Sequence, residues 1–354
     1  MRRVLTAIDP SATCHISTSA DLGFPGSIVR LAGGFATGCV VQWECEKPII
    51  PVDTVASVDL STVIMLDRDP SGMIAETDFD SLRERINKES TYDRNYHRSN
   101  HFIVFGRRAS DGAPALIIHS SVGEFDYQLN GLFPATTNWF ADSVRTYNEP
   151  DGYLKLLIGR KAEIFSEVAQ SLLSYAQGRH NIVGSLLLDG KAEISDIYHK
   201  PHFFMPTSSC IVLGCYLCEP NEVVPVFSRP GEPIAMFECE SGGSNSIVVG
   251  GTGLLAVPHG WGRTIGSPVD ARINGGDFIF NGHLFPIDPS ATLGSHPDVY
   301  LRRFDVEPDA DGSFFRQIAS AVPGRVVDSF DQLVSYSSRG FLAHPRPNRL
   351  SHVE

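Results

Sequence analysis

A glycine-framed histidine is the strongest candidate for chemistry in this sequence. His259 follows the apolar run 254–258 and begins the segment HGWGR, which contains Gly260 and Gly262. Glycines at such a turn permit positive φ and let a ligand approach the main chain closely. The spacing therefore predicts a turn that presents the imidazole to a substrate. An ordinary surface turn after a buried strand is the alternative interpretation of the same pattern.

Three further histidines share a local pattern that is typical of metal ligands. Each lies at the end of an apolar run beside a small or amide residue, and they are His101, His119 and His180. The strand-like run 57–66 adds one carboxylate, Asp59, which either faces water or, if buried, needs a partner or a cation. Imidazoles with one carboxylate suit a first-row cation such as manganese, zinc, iron or nickel. The sequence therefore predicts a metal site built from Asp59, His101, His119 and His180.

A hairpin is expected to bring two of these histidines together. The apolar runs 100–105 and 115–120 flank a turn at 110–112, which favours an antiparallel pair. His101 begins the first run and His119 ends the second, so both would lie at the same end of the hairpin. A single histidine on an apolar strand is more often a core residue, but two at one rim favour metal ligands.

The remaining pattern predicts one α+β domain over residues 1–354, with a β-rich core of mixed sheets and a few helices. Glycine and proline divide 28–51 into hairpins, and short strands return from His202 onward. Apolar residues near a 3.6-residue period predict a helix over 153–175 that ends at Gly178. The segment 78–87 is expected to be a polar helix or linker, and the tail 342–354 to be polar and mobile.

Composition and charge argue against several classes of protein. The chain has 354 residues, of which 42% are hydrophobic and 20% charged, and no apolar run reaches the ~18 residues of a membrane helix. A cytoplasmic globular protein without a membrane partner is therefore expected. Seven irregularly spaced cysteines argue against a disulfide framework, and the CYLC spacing at 215–218 lacks a second pair for zinc. The formal charge of −12 repels polyanions unless a local basic patch binds them.

Several motifs resemble, in the same order, those of the RtcB-type RNA-splicing ligase family. GGFATGCV at 33–40, IIP at 49–51 and VDLSTV at 58–63 are similar to its early segment GxGxxIGxV…IIPxxVGVDIGCGM. NHFIV at 100–104 is similar to GNHFIE, IHSS at 118–121 to LHSGSRG, and HN at 180–181 to the family's HN. HGWGR at 259–263 is similar to HGAGR, and VDSFDQLV at 327–334 to YKDIDxV.

The resemblance implies an RtcB-like fold with a manganese centre and a specific reaction. Members of the family use GTP to guanylylate the histidine of HGxGR. They then join an RNA 3′-phosphate or 2′,3′-cyclic phosphate to a 5′-hydroxyl. Carried over by position, His259 is the guanylylated nucleophile, and the metal ligands are Asp59, His101, His119 and His180.

The resemblance also assigns residues to the nucleotide and the RNA end. Asn100 would contact the phosphate or nucleotide, and Asn181 would orient an imidazole or touch phosphate. Gly260, Gly262 and Arg263 would shape the pocket around the nucleophile. The implied partners are GTP and RNA ends, and a homodimer is left open by the sequence.

Departures from the family pattern leave other functions open. Thr62 replaces the cysteine that bridges two metal ions in the family, so one tightly bound ion is expected here. The glutamate after NHFI is replaced by Val104, and the arginine of HSGSRG and the terminal Lys-Gly are missing. One alternative is a metal enzyme that acts on a small molecule, for example in secondary metabolism, with the ion as Lewis acid and His259 as acid or base. A binding or regulatory protein that keeps only the fold is another.

Overall fold

Antiparallel strands make up most of the fold, as the computed structural model of the chain shows. The structure describes residues 1–54, 58–68, 81, 84, 101–122, 139–149, 152–227, 231–242, 246–260, 270–288, 291–293, 322–337 and 340–344. The helices are α1 Arg2–Ile8, α2 Ile28–Ala32 and α3 Arg160–Leu188 within those ranges. The strands there are β1 Thr13–Gly23, β2 Thr37–Glu44, β3 Ile49–Pro51, β4 Asp59–Leu66, β5 Phe102–Arg108, β6 Pro114–Ser121, β7 Arg145–Glu149, β8 Gly152–Ile158, β9 Ile194–Thr207, β10 Cys210–Leu213, β11 Cys215–Cys218, β12 Val223–Val226, β13 Ile234–Cys239, β14 Ser246–Val249, β15 Thr252–Pro258, β16 Ala271–Asn274, β17 Asp277–Phe280, β18 His283–Pro286, β19 Gly324–Ser337 and β20 Gly340–Ala343. The α+β class and the β-rich core are confirmed.

One long sheet frames the molecule. Its described strands follow the order β1-β2-β10-β9-β4-β6-β5-β19-β13-β12, and β20 pairs with β19. Three smaller sheets have the orders β11-β15-β14, β16-β17-β18 and β3-β8-β7. The ladders between these strands are antiparallel, so parallel pairing in the described part of the chain is confined to one bridge between Phe227 and Gly260.

The central strands of the long sheet are covered on both faces. β4 reads DLSTVIML and β6 reads PALIIHSS, and nearly every residue of both strands is buried. Side chains that are β-branched or otherwise apolar suit such two-sided burial. Because strand side chains alternate, the pair Thr62 and Ile118 lies on one face and the pair Ser61 and His119 on the other. We call the first the helix face and the second the site face.

Helix α3 covers the helix face. Its residues Val183 and Leu187 pack with Ile64 and Ile118 of the long sheet. The helix and the sheet approach closely, because a Cβ atom on Gly184 would lie 2.6 Å from the Cδ1 atom of Ile64. Glycine at this position therefore lets the last turns of α3 lie directly against the central strands.

The helix predicted over 153–175 is wrong in its position. Residues 152–158 form β8, which pairs with β3 and β7, and α3 runs from Arg160 through Gly178 to Leu188. A glycine inside a helix costs roughly 1 kcal/mol relative to alanine. Packing of the following turns against the long sheet offsets that cost, so the helix does not end at Gly178. His180 and Asn181 consequently lie inside a helix.

Of the other local predictions from the sequence, one is confirmed, one is corrected and two fall largely outside the described residues. The hairpin of β5 and β6 is confirmed, with Phe102 opposite His119. The first of the hairpins expected in 28–51 is replaced by α2, whose first turn is capped by the Ser27 hydroxyl accepting from the backbone N–H of Arg30. The segment 78–87, apart from residues 81 and 84, and the tail beyond residue 344 lie outside the described residues. No helix in the described ranges combines the length and apolar character needed to cross a membrane.

Candidate functional site

Three histidines from distant parts of the chain converge on the site face. His119 lies near the end of β6, His202 lies in β9, and His259 directly follows β15. One ring nitrogen of each lies within 4.8 Å of those of the other two. Among the described residues, these histidines form the group that could hold a metal ion.

The spacing of the three rings fits a shared ion. The ring centroids are 4.8 Å apart for His119 and His202, 4.4 Å for His202 and His259, and 5.8 Å for His119 and His259. A triangle with these sides has a circumradius of about 3.0 Å, close to the ~3.2 Å between an imidazole centroid and an ion bound at about 2.0–2.1 Å to the ring nitrogen. A single point therefore lies at a suitable distance from all three centroids. Because the three ring planes lie within 13° of parallel, at least one ring would have to turn to direct its lone pair at an ion in tetrahedral geometry.

His119 and His202 have a close pair of nitrogens. Their Nε2 atoms are 3.1 Å apart, which corresponds to an angle of about 98° at an ion bound about 2.05 Å from each. This angle lies between octahedral and tetrahedral values. A nitrogen pair at the full 4.8 Å limit would have to close by at least about 0.7 Å, and by about 1.5 Å for a tetrahedral angle, to share that ion. The first two histidines are thus better placed for ligation than the group as a whole.

His202 reaches the site because its strand contains a β-bulge. Asp59 of β4 lies opposite Phe203, whereas the next residue, Leu60, lies opposite Pro201. His202 is therefore the extra residue between two paired positions. A bulge changes the direction of the side chain that it contains and is common beside functional sites.

Two hydroxyl groups support the ring of His202. Its Nδ1 atom is 3.3 Å from Ser61 Oγ, and the Tyr216 hydroxyl donates to that Oγ atom over 2.8 Å. A histidine that ligates through Nε2 carries its proton on Nδ1. In that state Ser61 Oγ accepts from both His202 and Tyr216, so the pair would hold the ring in a ligating orientation.

A backbone carbonyl fixes the ring of His259. Its Nδ1 atom lies 2.7 Å from the carbonyl oxygen of Gly214. A carbonyl oxygen can only accept, so Nδ1 carries the proton and donates it. In the neutral ring, Nε2 is then the nitrogen that carries the lone pair, which can accept a proton or bind an ion.

Aromatic rings and burial keep water away from this group. The Phe102 ring stacks on His119 with centroids 5.0 Å apart, and the Phe227 ring meets His119 edge-on at 4.9 Å. His119 and His202 are each only 1% exposed, whereas His259 is half-buried. Burial, followed by the neighbouring histidines, lowers the pKa of His202 well below its ordinary value. The ring of His202 is therefore neutral near pH 7, which is the form that binds metals.

His180 lies on the opposite side of the sheet. It projects from α3 onto the helix face, where its Nδ1 atom is 2.7 Å from Thr62 Oγ1 and its Nε2 atom is 2.7 Å from Ser120 Oγ. Buried Arg179 donates from Nη1 to Ser120 Oγ over 3.0 Å. Burial, and next the charge of Arg179, lowers the pKa of His180 well below its ordinary value. Both ring nitrogens of this neutral histidine are thus engaged by hydroxyl groups.

Thr62 joins His180 to a histidine that the sequence did not single out. The Nδ1 atom of His199 in β9 is 2.8 Å from Thr62 Oγ1. Thr62 therefore lies between two imidazoles on the helix face. It does not face the group formed by His119, His202 and His259, since Ser61 occupies that side of β4.

The other predicted ligands lie near the group but are not part of it. His101 precedes β5 and is buried, and its ring centroid is 5.8 Å from that of His119, which confirms that the hairpin places the two side by side. Asp59 is half-exposed at the start of β4. Strand alternation puts it on the site face, two residues before Ser61. Their role as ligands, like that of His180, stays a prediction.

Only part of the predicted nucleotide pocket lies within the described residues. Asn100, Gly262 and Arg263 lie outside them. Gly260 is buried, and a Cβ atom at this position would lie 3.3 Å from the Phe227 carbonyl oxygen. Asn181 is partly exposed on α3, and its Oδ1 atom is buried without a hydrogen-bond partner among the described residues.

Comparison with known proteins adds no relative. No family model matches the chain, and no curated protein matches it significantly. The resemblance to RtcB-type ligases therefore depends on the motifs alone, and its implications stay proposals.

Replacing His180 with leucine should destabilise the protein but spare metal binding. The change removes the hydrogen bonds of His180 to the buried hydroxyls of Thr62 and Ser120, which keep His199 and Arg179 as partners, so we expect a loss of about 1–3 kcal/mol in the free energy of unfolding. Because His180 lies on the helix face, zinc affinity should change by less than about 10-fold. Urea unfolding and zinc titration with a competing chelator measure the two effects.

His180→Gln is the matched variant, because its amide keeps the capacity to hydrogen-bond to the hydroxyls, so it should lose less stability than His180→Leu. A fall in zinc affinity of more than about 100-fold in folded His180→Leu would instead support the ligand role predicted from the sequence.

Proposed function

We propose that this protein is a metal-dependent enzyme in which His119, His202 and His259 bind one first-row divalent cation. The supporting observation is the convergence of their ring nitrogens within 4.8 Å, with the three centroids around one point. Three neutral imidazoles suit zinc, iron, nickel or copper better than the manganese implied by the family resemblance, because manganese prefers oxygen donors. When bound, such an ion acts as a Lewis acid and lowers the pKa of water.

The residues around the group have separate tasks in this proposal. Ser61 and Tyr216 orient His202, while the Phe102 and Phe227 rings exclude bulk water from the side of His119. Exclusion of water strengthens the electrostatic interactions inside the site. Substrate would approach from the side of His259, because this ring is the most exposed of the three.

A small molecule is the substrate class that the burial of the site supports best. Two of the three histidines are 1% exposed, which leaves little surface for a polynucleotide end. The formal charge of −12 also opposes a polyanion, and no membrane partner is proposed. We place the activity in the cytoplasm, in line with the sequence.

One observation favours the RNA ligase as a second candidate. With Nδ1 of His259 held by Gly214, Nε2 carries the lone pair that a nucleophile for GTP would need. In that case His119 and His202, whose Nε2 atoms are 3.1 Å apart, would hold the ion, and His259 would remain outside its ligands. The two candidates thus differ in the role of His259, which is a metal ligand in the first and the covalent nucleophile in the second.

Intact mass after incubation with nucleotide distinguishes the two candidates. For the small-molecule enzyme we expect about one bound metal ion per chain by elemental analysis, no adduct with GTP or ATP, and weaker zinc binding in His259→Ala. For the ligase, GTP and manganese should add a GMP-sized mass that His259→Ala abolishes. The exposed His15 of β1 provides a matched control, because His15→Ala should change neither result.

The mass and metal measurements can each exclude a candidate function. An adduct that depends on His259 would replace the first candidate by the second. A wild-type protein that contains no metal and takes up none after chelation and resupply would exclude both.

A further inference from the structure

The three histidines are carried by two different sheets. His119 and His202 belong to strands of the long sheet, whereas His259 follows β15 of the sheet β11-β15-β14. The chain passes from the first sheet to the second between β10, which pairs with β9, and β11, which pairs with β15. The residue at this crossing is Gly214. The relative position of His202 and His259 therefore depends on the crossing.

Gly214 makes a hydrogen bond on each side of the crossing. Its N–H group donates to the backbone carbonyl of His202 over 2.7 Å. Its own carbonyl accepts from the Nδ1 atom of His259 over 2.7 Å. One residue thus contacts the main chain of one candidate ligand and the side chain of another.

Only glycine fits this crossing. Gly214 has a φ of 78°, in the left-handed region that side chains disfavour. A Cβ atom there would lie 2.5 Å from Thr37 Cγ2 and 2.8 Å from Phe203 Cε2. Since Phe203 directly follows His202, a backbone shift at Phe203 that relieves the collision would displace the bulge that directs the His202 ring.

We infer that Gly214 is a positioning residue that couples His202 to His259 and holds His259 as the Nδ1–H tautomer. The functional consequence of this inference rests on the proposed metal site, because the coupling would hold the Nε2 atoms of His202 and His259 near a common ion. Its structural part concerns the metal-free protein and can be tested without any ion.

The tautomer of His259 is the first test. In metal-free wild-type protein labelled with ¹⁵N-histidine, long-range ¹H–¹⁵N correlation spectra should show a protonated Nδ1 and an unprotonated Nε2 for His259. The signal is assigned by its loss in His259→Gln. A neutral ring protonated on Nε2 alone would overturn the inference, because the carbonyl of Gly214 could not then accept from Nδ1.

Zinc affinity of glycine variants is the second test. Gly214→Ala should weaken zinc binding by about 10- to 100-fold, as expected for a group that orients ligands. Gly251→Ala is the matched control: this glycine also has positive φ, 86°, but no atom lies within 4 Å of its added Cβ. Its zinc affinity should stay within about 3-fold of wild type, since it has the strain without the collision.

The outcomes separate the inference from the proposed function. Equal losses in the two glycine variants would overturn the role of Gly214. If Gly214→Ala does not fold, the wild-type tautomer decides. If wild type binds no zinc, the metal proposal fails, while the tautomer still tests the contact between Gly214 and His259.

Discussion

Replacing His202 with alanine is expected to lower zinc affinity by more than about 100-fold. Loss of a residue that only supports a metal ligand already costs about 10- to 100-fold, and the Nε2 atom of His202 is 3.1 Å from that of His119. The same change should leave a folded protein, because the vacated volume lies on the site face beside His119, His259 and Tyr216. Zinc titration against a competing chelator measures the affinity, and circular dichroism verifies the fold.

Ser61→Ala and His15→Ala calibrate this result. Ser61→Ala removes the hydroxyl near Nδ1 of His202 but keeps the ring, so a smaller loss of about 10-fold is expected. His15→Ala removes an exposed histidine from β1 and should have no effect. Unchanged zinc affinity in His202→Ala would show that His202 is not a ligand. The metal ligands predicted from the sequence, Asp59, His101, His119 and His180, would then be the remaining candidates.

The sequence could predict the pairing of His101 and His119 because the hairpin that carries them is local. A turn at 110–112 and two apolar runs are enough to set which ends meet, and the ring centroids are 5.8 Å apart. The same reasoning could not separate the two faces of the sheet. It grouped His180 with His119, although α3 delivers His180 to the helix face and β6 directs His119 to the site face.

His202 was missed because its position depends on long-range register. In the sequence it is one polar residue in the 14-residue strand 194–207, and alternation alone would assign it a face without regard to the bulge. The bulge arises where β9 pairs with β4, more than 130 residues earlier in the chain. The one local signal was the spacing of His199 and His202, which puts two imidazoles in a single apolar strand.

The helix prediction failed for a related reason. Leu156 and Leu157 fit the apolar period of the helix that follows, but both are buried in β8 between β3 and β7. Pairing with β3 provides hydrogen-bond partners for the backbone of β8. These residues therefore do not need the hydrogen bonds of a helical turn. Long-range pairing thus overrides local periodicity at the start of α3, as it overrides alternation at His202.

The second large effect concerns the buried carboxylate of Asp53, which should make stability depend on pH. Its side chain is completely buried in the short turn 52–54, where Oδ2 accepts from the backbone N–H of Lys155 over 3.1 Å. The Lys155 ammonium is 3.8 Å from Oδ1, which has no hydrogen-bond partner among the described residues. Burial outweighs the attraction of Lys155 and raises the pKa of Asp53 to about 6.

The direction of the effect follows from proton linkage. The folded state binds the proton of Asp53 more tightly than the unfolded chain, whose pKa is near 3.8. The associated stability is fully present below pH 3.8 and is lost as the pH rises through about 6. A shift of about two pKa units corresponds to roughly 3 kcal/mol in total, about half of it between pH 5 and pH 8.

Asp53→Asn removes this titration while keeping the shape and an acceptor for the Lys155 N–H group. Relative to wild type, the variant should therefore gain roughly 1.4 kcal/mol in unfolding free energy between pH 5 and pH 8. Urea unfolding of both proteins at the two pH values gives the difference directly, and Asp142→Asn controls for the same change at an exposed carboxylate. A difference that stays constant or falls with pH would mean that the interaction with Lys155, not burial, dominates the energetics of Asp53, and that this corner of the fold is stabilised by an ion pair.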